Sequence, residues 1–128
     1  MTFQVTALYA AIFTFLIIVL ANIVSAKRGK AGISILHGDD LDLALWMRRH
    51  GNLVENLPVA LLLMALCEAR GLPLPWLNAM GIVLLAARLL HLVGLDKANV
   101  KSPLRIAGGV GTQISMLGAA GYLLWSLF

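Results

Sequence analysis

The first 26 residues, MTFQVTALYAAIFTFLIIVLANIVSA, contain no Asp, Glu, Lys, Arg or His. A helix crosses the hydrocarbon core of a bilayer with about 20 apolar residues, so this run is long enough to span. Residues 106–128 are equally free of charge, and residues 71–87 form an uncharged run nearly as long. The segment from Leu41 to Ala69 is polar over its first half and apolar over its second. Four such spans leave almost nothing of a 128-residue chain for other structure. The expected fold is therefore all-α: a single integral membrane four-helix bundle covering residues 1–128, with spans at about 3–26, 41–69, 73–95 and 103–127.

The first segment is read as a span and not as a cleaved leader. A signal peptide carries its positive charge before the apolar run, whereas here Lys27, Arg28 and Lys30 come after it. Those three, with Arg48, Arg49, Arg88, Lys97, Lys101 and Arg105, fall at one end of four antiparallel spans, leaving Arg70 alone at the other. The positive-inside bias makes the basic face cytoplasmic. The expectation is a multi-pass protein of the cell inner membrane with both termini outside. One cysteine, Cys67, excludes an intrachain disulfide and suits a packing role in the apolar half of its span.

Local signals place the helix ends. Asp39 or Asp40 in "HGDDLD" supplies an N-cap for the second helix. Gly71, Pro73 and Pro75 separate the second helix from the third, and Pro103 opens the fourth. The fourth span carries Gly108, Gly111, Thr112, Ser115, Gly118 and Ala119 at three- and four-residue spacings, which allow close helix packing in lipid.

The second helix holds the informative polar residues, in "RRHGNLVENLPV". At 100° per residue, Arg48, Asn52 and Glu55 lie within an arc of about 60° on one face, and Pro58 removes a backbone donor beside them. Arg88 and His91 share a face of the third span, and Arg105 opens the fourth. An arginine at mid-span costs a few kcal/mol on insertion scales, so these groups should face one another or a wet cavity. One reading is structural, with Glu55 neutralised by Arg48 or Arg88. That pairing leaves other cations at this depth without acidic partners, which favours a recessed anion-binding pocket. No His, Cys, Asp or Glu cluster has metal-ligand spacing, and no metal or nucleic-acid partner is expected.

Arg48, Asn52, Glu55 and Pro58 form Arg-x-x-x-Asn-x-x-Glu-x-x-Pro. This resembles the second-helix signature of the membrane-associated proteins in eicosanoid and glutathione metabolism, the MAPEG family. "ARLLH" resembles the family's Arg-x-x-His and "SPLR" its Pro-x-Arg, and the likeness extends over essentially the whole chain in length and four-span layout. "RHGNLVENLP" is most similar to the small bacterial inner-membrane members. The resemblance implies a homotrimer with glutathione bound between subunits near the cytoplasmic face. It further implies a transferase or peroxidase acting on lipophilic electrophiles that arrive from the membrane lipid. By position, Arg48, Asn52, Glu55, Arg88 and His91 would bind glutathione, and Arg105 would stabilise its thiolate. Lys27 or Arg28 would add a cation from the end of the first span.

The chain departs from the family at three hydroxyl-bearing positions, occupied here by Asn56, Leu95 and Ile106. Their loss favours, as an alternative, a non-catalytic lipid- or glutathione-binding scaffold of the same fold. A small cation exporter is disfavoured, because its acidic residue would sit in the first span, which here has none, and arginines around Glu55 would repel a cationic cargo.

Overall fold

The structure is a computed structural model and describes residues 2–99 and 101–128. Its elements are four helices: α1 (Gln4–Ala31), α2 (Leu41–Ala69), α3 (Leu74–Gly94) and α4 (Pro103–Trp125). Helix α1 continues beyond the apolar run through Lys27, Arg28 and Lys30. It stops at Gly32, whose left-handed φ of 66° lets its own N–H close on the Gly29 carbonyl and the N–H of Ile33 on the Arg28 carbonyl. Cations in that last turn sit at the negative end of the helix dipole.

Helix α2 is capped by Asp40, whose carboxylate accepts from the N–H groups of Asp42 and Leu43, both at 2.9 Å. It runs through Pro58 without ending, although the ring denies the Val54 carbonyl its usual donor. At its far end Glu68 caps a different helix. Its carboxylate accepts from the N–H of Val5 at 3.0 Å and of Thr6 at 2.9 Å, at the N-terminus of α1, where no local side chain provides a cap.

Helices α2 and α3 touch each other and both flanking helices, while α1 and α4 stand at opposite corners without contact among the described residues. The core between them contains Phe13, Leu20, Leu53, Leu57, Met64, Leu77 and Leu84. Cys67 is fully buried with its Sγ 3.5 Å from the Ala119 carbonyl, a packing position between α2 and α4. The closest pair is α3 with α4. A Cβ added at Gly108 would run into the His91 backbone and the Ala87 carbonyl, and one at Gly94 into the backbone of Leu104 and Arg105. Small residues here bring two backbones into contact.

Helices α1, α2 and α3 are long and apolar enough to cross a membrane. Helix α4 matches them in length at 23 residues, but its glycines and the polar Thr112, Gln113 and Ser115 dilute its hydropathy. Phe15, Val19, Ile114, Leu117 and Trp125 point outward, so the apolar surface of the molecule is a membrane surface. The architecture is a membrane four-helix bundle.

Candidate functional site

The N-terminal half of α2, the C-terminal end of α3 and the start of α4 enclose a cavity of about 320 Å³, the low end of the range for small-molecule pockets. Arg48 and Asn52 come from α2, Asp96 and Lys97 from the loop after α3, and Arg105 from α4; Leu41, Ala44, Leu45 and Leu95 form the apolar wall. Three cations thus face one carboxylate across a recess with apolar sides. The cap at Asp40 sets the start of α2 and hence the depth of Arg48, two turns further on.

Each polar residue of the stripe has a definite place. Arg48 donates through Nη1 and Nη2 to the two carboxylate oxygens of Glu55, both at 3.2 Å. The seven-residue spacing carries this pair about 10 Å along one face of α2. Both side chains are 56% exposed on the single chain, and Glu55 stands beside the cavity, outside its wall. Arg88 lies behind the wall and is only 3% exposed. It donates through Nη1 to the Thr112 hydroxyl at 3.2 Å and through Nη2 to Asn52 Oδ1, and its Nε is buried without a partner. His91 is also buried, one turn along, where α4 passes over it at Gly108.

Arg105 forms no hydrogen bond or ion pair among the described residues and lines the cavity. Lys27 and Arg28 of α1 are employed elsewhere. Lys27 pairs with Asp42, whose other oxygen lies 3.6 Å from Lys97. Arg28 donates to the carbonyls of Ile33 at 3.2 Å and Leu36 at 2.8 Å, holding the loop between α1 and α2. Neither residue lines the cavity of this chain. Arg49 donates to the Leu95 carbonyl at 3.1 Å, with its guanidinium 4.7 Å from the Trp46 ring centroid. It thereby fixes the end of α3 from which Asp96 and Lys97 project.

Two contributors have roles in the site that the sequence does not signal directly. Lys97 counts there only as a charge in the α3–α4 loop, yet it forms part of the wall. Thr112 is read there as one of a row of small packing residues, yet it holds Arg88. The second was findable. An antiparallel hairpin turning near Asn99 sets residues equidistant from the turn side by side, which brings Arg88 to Thr112.

The fold and this recess define a multi-pass membrane protein with an arginine-lined pocket at one end of a four-helix bundle. The family profile described as the MAPEG family matches residues 6–125. The chain is 36% identical over 91 residues to "Inner membrane protein YecN" of Escherichia coli strain K12, covering 71% of this chain and 70% of that protein. The same identity and coverage hold for the YecN protein of Escherichia coli O6:H1, strain CFT073. No solved structure gives a significant match. The chain belongs to the MAPEG family. It is a multi-pass inner-membrane protein of the glutathione and eicosanoid metabolism type, a family that generally uses glutathione.

Proposed function

We propose that the pocket binds glutathione and that the protein is a glutathione-dependent transferase or peroxidase acting on lipophilic electrophiles. The observation that carries this reading is Arg105, a cation that faces the cavity with no partner among the described residues. Glutathione brings two carboxylates and one ammonium. Arg48 and Lys97 match the carboxylates, Asn52 contributes a polar contact from the same wall, and Glu55 beside the cavity, with Asp96 in its wall, matches the ammonium. Arg88 and His91 stand behind that wall. A free thiol with a pKa of about 8.5 is mostly protonated at neutral pH, and an adjacent guanidinium stabilises its thiolate. The nucleophile then attacks an electrophile entering from the surrounding lipid.

The exposed Arg48–Glu55 pair supports assembly into a homo-oligomer, with a trimer as the expected state. An ion pair on the outer face of a membrane helix is poorly solvated by hydrocarbon, and a second copy of the chain placed over it supplies a polar surround and closes the pocket's open side. A glutathione titration of the purified protein, followed by thiolate absorbance, tests the reading. A saturable signal that disappears in Arg105→Ala supports it, and Glu55→Gln should weaken binding while leaving the thiolate signal at saturation. Absence of binding to the wild type overturns it.

One observation favours a second reading, a scaffold that binds glutathione or lipid without turnover. Three positions that carry hydroxyls in family enzymes are filled by groups that cannot hydrogen-bond a sulfur from here. The Asn56 amide is turned back on the Asn52 carbonyl at 2.8 Å, Leu95 is apolar wall, and Ile106 points outward. Glutathione binding with no thiolate signal would select this reading.

A further inference from the structure

The buried guanidinium of Arg88 is in the wrong place to touch a ligand in the cavity. It is 3% exposed and lies behind Asn52, which itself lines the wall. What it touches is informative. Arginine has five N–H donors and no acceptor, so whatever faces it must present a lone pair. The Thr112 hydroxyl does so because its proton is committed to the Gly108 carbonyl at 2.8 Å, leaving an oxygen lone pair for Arg88 Nη1 at 3.2 Å. Asn52 presents Oδ1 to Arg88 Nη2. With its oxygen held there, the amide has one orientation, and its Nδ2 is the atom left for the cavity.

We propose that Arg88, braced by Thr112, is a positioning residue that locks Asn52 with its N–H₂ group toward the pocket. The wall therefore offers a neutral donor beside the cations Arg48, Lys97 and Arg105, and selects for a carboxylate or carbonyl oxygen at that point. Thr112 and Arg88 act on the ligand only through Asn52. The inference rests on the glutathione reading above and assigns the polarity of one contact within it.

Asn52→Asp separates this role from a structural one, because it moves stability and binding in opposite directions. No carboxylate pairs with Arg88 among the described residues, so an aspartate there supplies its missing counter-charge and should raise the midpoint of thermal unfolding in detergent. The same change removes the donor and turns a negative charge toward the pocket. Glutathione affinity should fall roughly tenfold or more, as expected when a hydrogen bond to a charged group is lost. Thr112→Val should weaken glutathione binding although Thr112 is remote from the ligand. It should leave the thiolate absorbance at saturation unchanged, since Arg105 is untouched, and Thr112→Ser should restore affinity.

Loss of affinity with a raised midpoint in Asn52→Asp, together with serine rescue at Thr112, supports the assignment. Wild-type affinity retained in Asn52→Asp overturns the assignment alone, as does Thr112→Val binding glutathione like the wild type. A wild-type protein that does not bind glutathione overturns the parent reading, and this assignment with it.

Discussion

The two ends of the bundle use their charges differently. At the end holding the α2–α3 turn, every charged side chain is committed to the fold. Glu68 caps α1 through the N–H groups of Val5 and Thr6. Arg70 donates to the Ser126 hydroxyl and carbonyl near the C-terminus, while its own carbonyl accepts from the Tyr122 hydroxyl at 3.1 Å. At the pocket end, Arg49, Arg28, Lys27 and Asp42 have similar structural partners. There, however, Arg105 is left over in the cavity wall, its side chain without a hydrogen bond or ion pair among the described residues. Where charge only holds helices together, donors and acceptors balance. An imbalance that persists in a recess points to a ligand that is itself charged.

The largest effect that could break this comparison is on Arg105. Because its side chain makes no hydrogen bond or ion pair among the described residues, Arg105→Ala should abolish the thiolate signal and lower glutathione affinity by roughly a hundredfold, with the unfolding midpoint little changed. Thermal unfolding and titration on one preparation check both halves. A variant that unfolds early would mean that Arg105 is structural and that the two ends are alike.

Next in size is the approach of α3 and α4. Gly108→Val places its side chain against the His91 backbone and the Ala87 carbonyl, neither of which can swing away. The expected cost is about 2–3 kcal/mol of stability, measured by denaturant titration in micelles. Since Arg105 and Thr112 ride on α4, this variant should also bind glutathione more weakly. A loss confined to stability would show that the pocket tolerates a shifted α4.

How far the site could be read in advance follows the same division. Helix type, the cap at Asp40 and the helix start at Pro103 are written locally, in charge-free runs and single residues, and so are legible. So is the clustering of Arg48 and Asn52, because helical periodicity fixes which residues share a face. The choice of partner is not local. Glu55 had Arg48 and Arg88 as candidates, and only the packed helices decide that Arg48 takes both carboxylate oxygens while Arg88 turns to Asn52 and Thr112. Glu68 gives no sequence signal as a cap, since the helix it caps begins more than sixty residues earlier. Lys97 enters the cavity wall through the course of a loop, which periodicity does not describe.

Glu68→Ala provides the counterpart to Arg105→Ala at the opposite end. Removing the carboxylate strips two N–H groups of α1 of their acceptor and takes a negative charge from the positive end of that helix. The expected loss is about 1–2 kcal/mol in unfolding free energy. Glutathione affinity should hold at the wild-type value, because the whole length of the bundle separates Glu68 from the cavity. A change in affinity would mean that the two ends are mechanically coupled through α1 and α2.

The smallest effect is the most local one. Asp40→Ala removes a side-chain cap that accepts from two N–H groups at the start of α2, worth about 1 kcal/mol. Unlike Glu68, Asp40 belongs to the pocket end, where Leu41, Ala44 and Leu45 of the first two turns form the apolar wall and Asp42 holds Lys97. Fraying of those turns should therefore loosen the wall. Asp40→Ala is expected to weaken glutathione binding a few-fold for its modest loss of stability, whereas Asp40→Asn, which keeps an acceptor oxygen, should recover most of both. The ratio of lost affinity to lost stability is the informative quantity. It should be near zero for Glu68→Ala and clearly positive for Asp40→Ala. Equal ratios would mean that the cap acts on global stability alone and that the cavity owes nothing to the first turns of α2.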